Sequence, residues 1–246
     1  RMKIIVDAFG GDNAPQEILL GCAQARADLG VDILLTGDKA RLEACAKELG
    51  LSQDLAKMEI LPCGEILTME DEPTSVIREK TDSSMAVGLR ALAQGRGDAF
   101  ASAGNSGALV VGATTIVKRV RGVKRVAFAP VMPGSNGFFM LIDGGANVDC
   151  RPEMLLQFGL MGSAYMKSVM GIENPRVALA NVGAEEHKGD QLRQEALALA
   201  EGLPGHPLYR QYRGPGHPLQ PGGRGGCRRL YRQHDLKRCT RAWPWP

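Results

Sequence analysis

Residues 98–113 read DAFASAGNSGALVVGA, and this stretch decides the fold class. Residues 99–103 form a short apolar strand, Gly104, Asn105, Ser106 and Gly107 form a polar turn, and an apolar helical run follows. Asn105 or Ser106 can cap that helix, and Gly107 admits a ligand close to the backbone. Strand, glycine turn and helix start make an ordinary βα connection. The same layout also aims backbone N–H groups at a bound anion.

The construction recurs on both sides of this stretch. Upstream, a buried strand over 2–6 opens into Asp7, Ala8, Phe9, Gly10, Gly11, Asp12 and Asn13. A helix follows, with Pro15 in its first turn and Ile18, Leu19, Cys22 and Ala23 on its apolar face. A strand over 31–35 and the pair Gly37-Asp38 lead to a helix stopped by Gly50, and a short strand follows over 58–61. Ser83 or Ser84 then caps a helix that ends at Gly95. Downstream, strands over 126–132 and 138–142 flank a turn at 133–137, and the second runs into Asp143-Gly144-Gly145-Ala146-Asn147. Pro152 starts a long helix ended by Gly171, and a strand over 177–182 leads through 183–188 into a last helix. Strands and helices alternating at this spacing predict an α/β fold, a mostly parallel sheet flanked by helices. Polar loops follow four strand ends, at 7–13, 104–107, 143–147 and 181–188, where ligands bind in open α/β sheets.

Composition divides the chain. Residues 206–246 carry nine Lys and Arg against one acid, whereas residues 1–205 carry 21 basic and 26 acidic residues. Both tryptophans and three of the four histidines lie in the tail. The expected organisation is an α/β domain over 1–205, C-terminally incomplete, and a basic Gly/Pro/Arg-rich tail over 206–246. The six cysteines show no CxxC pairs and no disulfide framework, which suits a reducing cytoplasm. No apolar run reaches the length of a membrane span, and the chain opens on a strand rather than a signal peptide.

Several long motifs carry a family resemblance. They are DAFGGDNAP at 7–15, KTDSSM at 80–85, SAGNSGAL at 102–109, DGGANVDC at 143–150, Gln157-Phe158 with LMGS at 160–163, and GIENPRVALANVGAEEHKG at 171–189. In this order and spacing the chain resembles the PlsX family, the phosphate acyltransferases of bacterial phospholipid synthesis. The resemblance runs to about residue 203. It implies a fold like isocitrate dehydrogenase and phosphotransacetylase, a homodimer, and peripheral contact with the membrane from the cytoplasm. It also implies transfer of a fatty acyl chain from acyl carrier protein to inorganic phosphate, giving acyl phosphate, with no cofactor. Ala184 stands where members carry a glutamate, and His187 precedes Lys188; no catalytic role is read into either.

For that chemistry phosphate is itself the nucleophile, so the site has to hold it in line with a thioester carbonyl and stabilise the developing oxyanion. The candidate catalytic residues are Lys188 as a positive charge, Asn147 and Asn181 to orient oxygens, and Asp143. The candidate phosphate-binding residues are Asp7, Gly10, Gly11, Asp12, Asn13, Gly104, Asn105, Ser106 and Gly107. Lys80, Ser83 and Ser84 form a second candidate anion corner. The plainer readings stand beside these: turn or cap roles for the asparagines, Asx turns for Asp7, Asp12, Asp143 and Asp149, and a capped helix at Ser83 and Ser84. Cys150 is read as structural rather than nucleophilic. No metal site is expected, because the acids lack a fixed short spacing. Lys118, Arg119, Arg121, Lys124 and Arg125 form a basic run suited to acidic acyl carrier protein or anionic headgroups, or a solvated helix end. A coenzyme A thioester in place of the carrier protein is the alternative substrate class.

In the tail the resemblance stops. Alone, the segment reads as basic and disordered, able to contact nucleic acid through phosphates, so a non-enzymatic, basic-tailed nucleic-acid-binding protein is the alternative function, while the leading expectation has no nucleic-acid partner. Codons for LYRQYRGPGHP at 208–218 can be chosen so that a one-base shift reads YIGNIEGRDI. Those for GGCRRLYRQHD at 225–235 can likewise read VADGFTGN, both similar to later family segments. The tail is therefore expected to be a frameshifted reading of the gene, which would leave the enzyme fold without its later strands.

Overall fold

The computed structural model describes residues 1–134, 137–181, 190–201 and 210–213. The chain divides into two compact units, Arg1–Gly122 and Val123–Pro246, a boundary the sequence did not mark.

The first unit is built on β1 (Lys3–Asp7), β2 (Asp32–Gly37), β3 (Glu59–Pro62) and β4 (Ala99–Ala101). All pair in parallel, in the order β3-β2-β1-β4. Helices α1 (Gln16–Leu29), α2 (Lys39–Glu48) and the short α3 (Ser52–Leu55) follow the first strands, with α4 (Ser84–Ala93) and α5 (Ser106–Gly112) later. Alternation along β2 sets the layers, since successive side chains point to opposite faces. Ile33 and Leu35 pack with Leu19 and Cys22 of α1 and Leu42, Cys45 and Ala46 of α2. Leu34 packs on the other face with Ile5 of β1 and Ala91 of α4.

Two helix starts fall at caps that the sequence offered, Ser83 and Asn105; Asp38 adds a third, and Pro15 sits at the N-cap of α1 rather than in its first turn. Asp38 caps α2 by accepting from the Arg41 N–H at 3.1 Å. Ser83 caps α4 through Ala86 at 3.3 Å. Asn105 caps α5 through Ala108 at 3.0 Å. Each such cap is worth about 0.5–2 kcal/mol. Thr36, fully buried, donates to the Ser84 carbonyl at 2.8 Å and ties β2 to the start of α4.

The strand order places the chain reversal at β1. From β1 the chain steps outward to β2 and β3, then crosses to β4 on the other side of β1. In open α/β sheets the carboxyl ends flanking such a reversal are where ligand crevices form.

The second unit contains β5 (Val131–Gly134), β6 (Gly137–Met140), α6 (Pro152–Ser168), β7 (Ala178–Asn181), α7 (Gln191–Glu201) and β8 (Arg210–Arg213). β5 and β6 form an antiparallel hairpin, and β7 pairs in parallel with β8. β5 starts later than the sequence predicted and takes in Pro133 and Gly134. Residues 126–130 run instead beside the 143–147 loop, where the Asp143 carboxylate accepts from Phe128 N–H at 2.8 Å and takes a donor from the expected ladder, while the Phe128 and Pro130 carbonyls still accept from the Gly144 and Leu141 N–H groups. Of the 206–246 tail, only Arg210–Arg213 lie among the described residues, in β8. No helix among the described residues is long and apolar enough to cross a membrane.

Candidate functional site

The register Val6↔Ala101 between β1 and β4 brings Asp7 and Ser102, 95 residues apart in the chain, to the same level at the carboxyl edge of the sheet. Asp7 is 2% exposed, and both of its oxygens are used. One accepts from the Phe9 N–H at 3.2 Å and the other from the Ser102 hydroxyl at 2.7 Å. Ser102 Oγ in turn accepts from the Gly104 N–H at 3.1 Å. The loops after β1 and β4 touch at their glycines. A Cβ on Gly10 would lie 2.5 Å from Asp7 Oδ2, 2.8 Å from Ser102 Oγ and 2.9 Å from Gly104 N, and one on Gly104 would lie 3.2 Å from Gly10 Cα. Gly11 follows at φ +113°, a conformation that L side chains rarely adopt. Asp12 and Asn13 are exposed on the same loop, as is Ser106 on the other.

A third segment crosses in front of this pair. The Asn105 side chain, besides capping α5, donates from Nδ2 to the carbonyls of Asp71 at 3.0 Å and Thr68 at 3.3 Å. The Asp71 carboxylate accepts from Thr68 N–H at 2.6 Å, Thr68 Oγ1 at 2.8 Å and Lys80 Nζ at 2.6 Å, and Lys80 also donates to the Ile66 carbonyl at 2.9 Å. Lys80 is thus bound into this strap, Ser83 is a cap, and the Asn105 amide has both ends engaged. Gly107 is packed closely too, since a Cβ there would lie 2.9 Å from Pro73 Cγ.

The Lys80 ammonium, with the Thr68 backbone and hydroxyl, holds the Asp71 carboxyl down at about 2. A depressed carboxylate stabilises the fold above the ordinary carboxylate range and loses that contribution as pH falls through its folded value. Carbon-13 titration of the Asp71 carboxyl is expected to show a midpoint at about 2, with the strap loosening as pH falls from the ordinary carboxylate range through it. A midpoint in the ordinary range would mean the Lys80 contact is absent in solution.

In the second unit, Asp143 organises its own loop. One oxygen accepts from the N–H groups of Phe128, Gly145 and Ala146, at 2.8, 3.3 and 3.1 Å. The other accepts from Asn147 N–H at 2.7 Å and Asn147 Nδ2 at 2.9 Å, and Nδ2 also donates to the Val126 carbonyl at 2.8 Å. Burial pushes the Asp143 carboxyl up, but these bonds, Asn147's first, hold it below the ordinary range. Burial, then the Asp143 and Asp149 carboxylates, push the Cys150 thiol up, consistent with the structural role read for it. Asn181 closes β7, and Lys188 and His187 lie outside the described residues. Lys118, Arg119, Arg121, Lys124 and Arg125 are all exposed, in a loop after the helical turn at Ala113–Val117 rather than at a regular helix end.

The structure therefore joins two of the four polar loops, 7–13 and 104–107, within one unit, and adds the 68–80 strap to them. Three participants escaped the sequence reading. Ser102 becomes visible only once β4 is placed beside β1. Asp71 lies in the polar run MEDEP at 69–73, where nothing in the sequence marks its tie to Lys80. Arg41 lies over the Phe9 ring, 4.7 Å from its centroid, and brings an exposed cation to the 7–13 loop.

The family model described as "Fatty acid synthesis protein" matches residues 2–210. A phosphate acyltransferase of Acetivibrio thermocellus is 45% identical over 199 residues, covering 80% of this chain and 58% of its own. Those of Clostridium kluyveri and Clostridium acetobutylicum are 43% and 40% identical over 202 and 199 residues, covering 82% and 80% of this chain. The chain spans 60% of the length of each of these two relatives. The resemblance read from the motifs is borne out, and the chain belongs to the fatty acid synthesis protein family.

Proposed function

We propose that the paired loops at the β1/β4 edge hold inorganic phosphate, and that the protein transfers a fatty acyl group from acyl carrier protein to it, yielding acyl phosphate for phospholipid synthesis. One observation carries the reading. At the chain reversal, Gly10 and Gly104 approach too closely for any side chain, so the two loops present backbone rather than bulk at the sheet edge. The N–H groups of Gly10 and Gly11, and of Asn105, Ser106 and Gly107, are the donors for phosphate and for the oxyanion of the thioester carbonyl.

In the reaction a phosphate oxygen attacks the thioester carbon. The new C–O bond forms as the C–S bond breaks, and the proton of hydrogen phosphate ends on the released carrier thiol. Asp7 and Asn105 shape the loops from behind. Lys188 and Asn181 are further catalytic residues on the strength of the family resemblance alone, and Asp143 with Asn147 fixes the 143–147 loop. Lys118, Arg119, Arg121, Lys124 and Arg125 dock the acidic carrier protein. The working form is a cytoplasmic homodimer in peripheral contact with the membrane.

The test is release of free thiol from acyl carrier protein thioester by the full chain, with and without phosphate, and with a coenzyme A thioester as the competing donor. Release that saturates with phosphate and prefers the carrier protein is expected. Release indifferent to phosphate would overturn the reading, and preference for coenzyme A would reassign its donor.

A further inference from the structure

We infer that Ser102 is a positioning residue, which locks the two glycine loops together and satisfies the Asp7 carboxylate oxygen that lies against Gly10. The inference rests on the phosphate reading above and assigns a role to a side chain that the reading leaves unused.

The hydrogen-bond directions follow from chemistry. An ionised carboxylate only accepts, and a serine hydroxyl has one proton to give. At 2.7 Å from Asp7 Oδ2, that proton goes to the carboxylate. The lone pairs of Ser102 Oγ are left for the Gly104 N–H at 3.1 Å. One hydroxyl therefore joins the end of β1 to the first turn residue after β4. The other Asp7 oxygen takes the Phe9 N–H, so the buried charge is satisfied from inside the fold.

This arrangement answers an electrostatic problem. A buried carboxylate beside an anion site repels the ligand, and less so when fixed donors are aimed at its oxygens. Without the Ser102 hydroxyl, Asp7 Oδ2 loses the one side-chain donor it has among the described residues. It lies 2.5 Å from where a Gly10 Cβ would be, against the loop assigned to phosphate. The Gly104 N–H is freed at the same time, and the 104–107 loop loses its tie to β1. Both consequences weaken phosphate binding, and neither involves the thioester.

The test uses the full chain and three variants. Ser102→Ala removes the hydroxyl, Ser102→Cys keeps the shape with a poor donor, and Ser102→Thr keeps the donor. Phosphate affinity is measured by isothermal titration calorimetry, thermal midpoints are measured alongside, and KM is measured for phosphate and thioester separately. The expected loss of phosphate affinity is about tenfold or more in the Ala and Cys variants, the scale of a hydrogen bond to a charged group. The Thr variant is expected to stay within about threefold of wild type, and the thioester KM to change little, by the same arithmetic. Cys is the decisive variant if Ala fails to fold. Unchanged phosphate affinity in the Cys variant overturns the inference, as does a Thr variant as weak as Cys. An equal rise in both KM values does so too, because a merely structural role would produce it. If wild type itself binds no phosphate, the functional reading fails first and takes the inference with it.

Discussion

Gly10→Ala is expected to remove nearly all phosphate-dependent acyl transfer, a fall in kcat/KM of about 100-fold or more. The added methyl meets a buried carboxylate oxygen, the serine hydroxyl and a backbone nitrogen, all within 3 Å. None of the three is the free end of a flexible chain, so the loops themselves must part. Overpacking of this kind costs about 1–3 kcal/mol, and a displacement near 1 Å at a positioned site costs about 100-fold in rate. Gly21 is the control. It lies inside α1 with nothing within 4 Å of a built Cβ, so Gly21→Ala is expected to stabilise the protein by about 0.5–1 kcal/mol and leave kinetics alone. Wild-type kinetics for Gly10→Ala would show that the two loops do not meet in solution.

Leu34→Ala carries the largest expected loss of stability, about 2–5 kcal/mol. Leu34 is fully buried in β2, between β1 and β3, and packs with Ile5 and Ala91 on the face opposite α1 and α2. Its neighbours are themselves tightly enclosed, so the cavity left behind closes poorly. A domain is stable by only about 5–15 kcal/mol, so this single truncation removes a large share. Urea unfolding should show a lower midpoint with an unchanged slope. Leu29, 75% exposed at the end of α1, supplies the comparison, with Leu29→Ala expected within about 0.5 kcal/mol of wild type. Equal effects from the two substitutions would contradict the layering of this unit.

Local features of the fold were legible in the sequence because they are fixed by nearby residues. Ser83 and Asn105 cap the helices at which Ser83 or Ser84 and Asn105 or Ser106 were the expected caps, and the strand and helix alternation gave the right class. Pairing of β4 with β1 was not legible, since nothing local records that residue 7 meets residue 102. The long-range ties were hidden for the same reason. Lys80 looks like a free cation in a basic and polar run, and only the folded chain brings Asp71 to it. Asn105 reads as a cap and is one, but its second task, holding the carbonyls of the 68–71 segment, depends on that segment's path. The late start of β5 has a similar origin. The Asp143 side chain takes a donor that a strand over 126–130 would have used. The family motifs carried what local rules could not, and the match over 2–210 agrees with where they lie.

The central claim is that the loops at the β1/β4 edge bind phosphate. The most direct measurement is a titration of the isotope-labelled full chain with inorganic phosphate, followed through the backbone amide resonances and repeated with chloride at matched ionic strength. The account predicts saturable shifts at Gly10, Gly11, Asn105, Ser106 and Gly107 with phosphate and none with chloride. Phosphate shifts confined to other parts of the chain, or equal shifts with both anions, would contradict it.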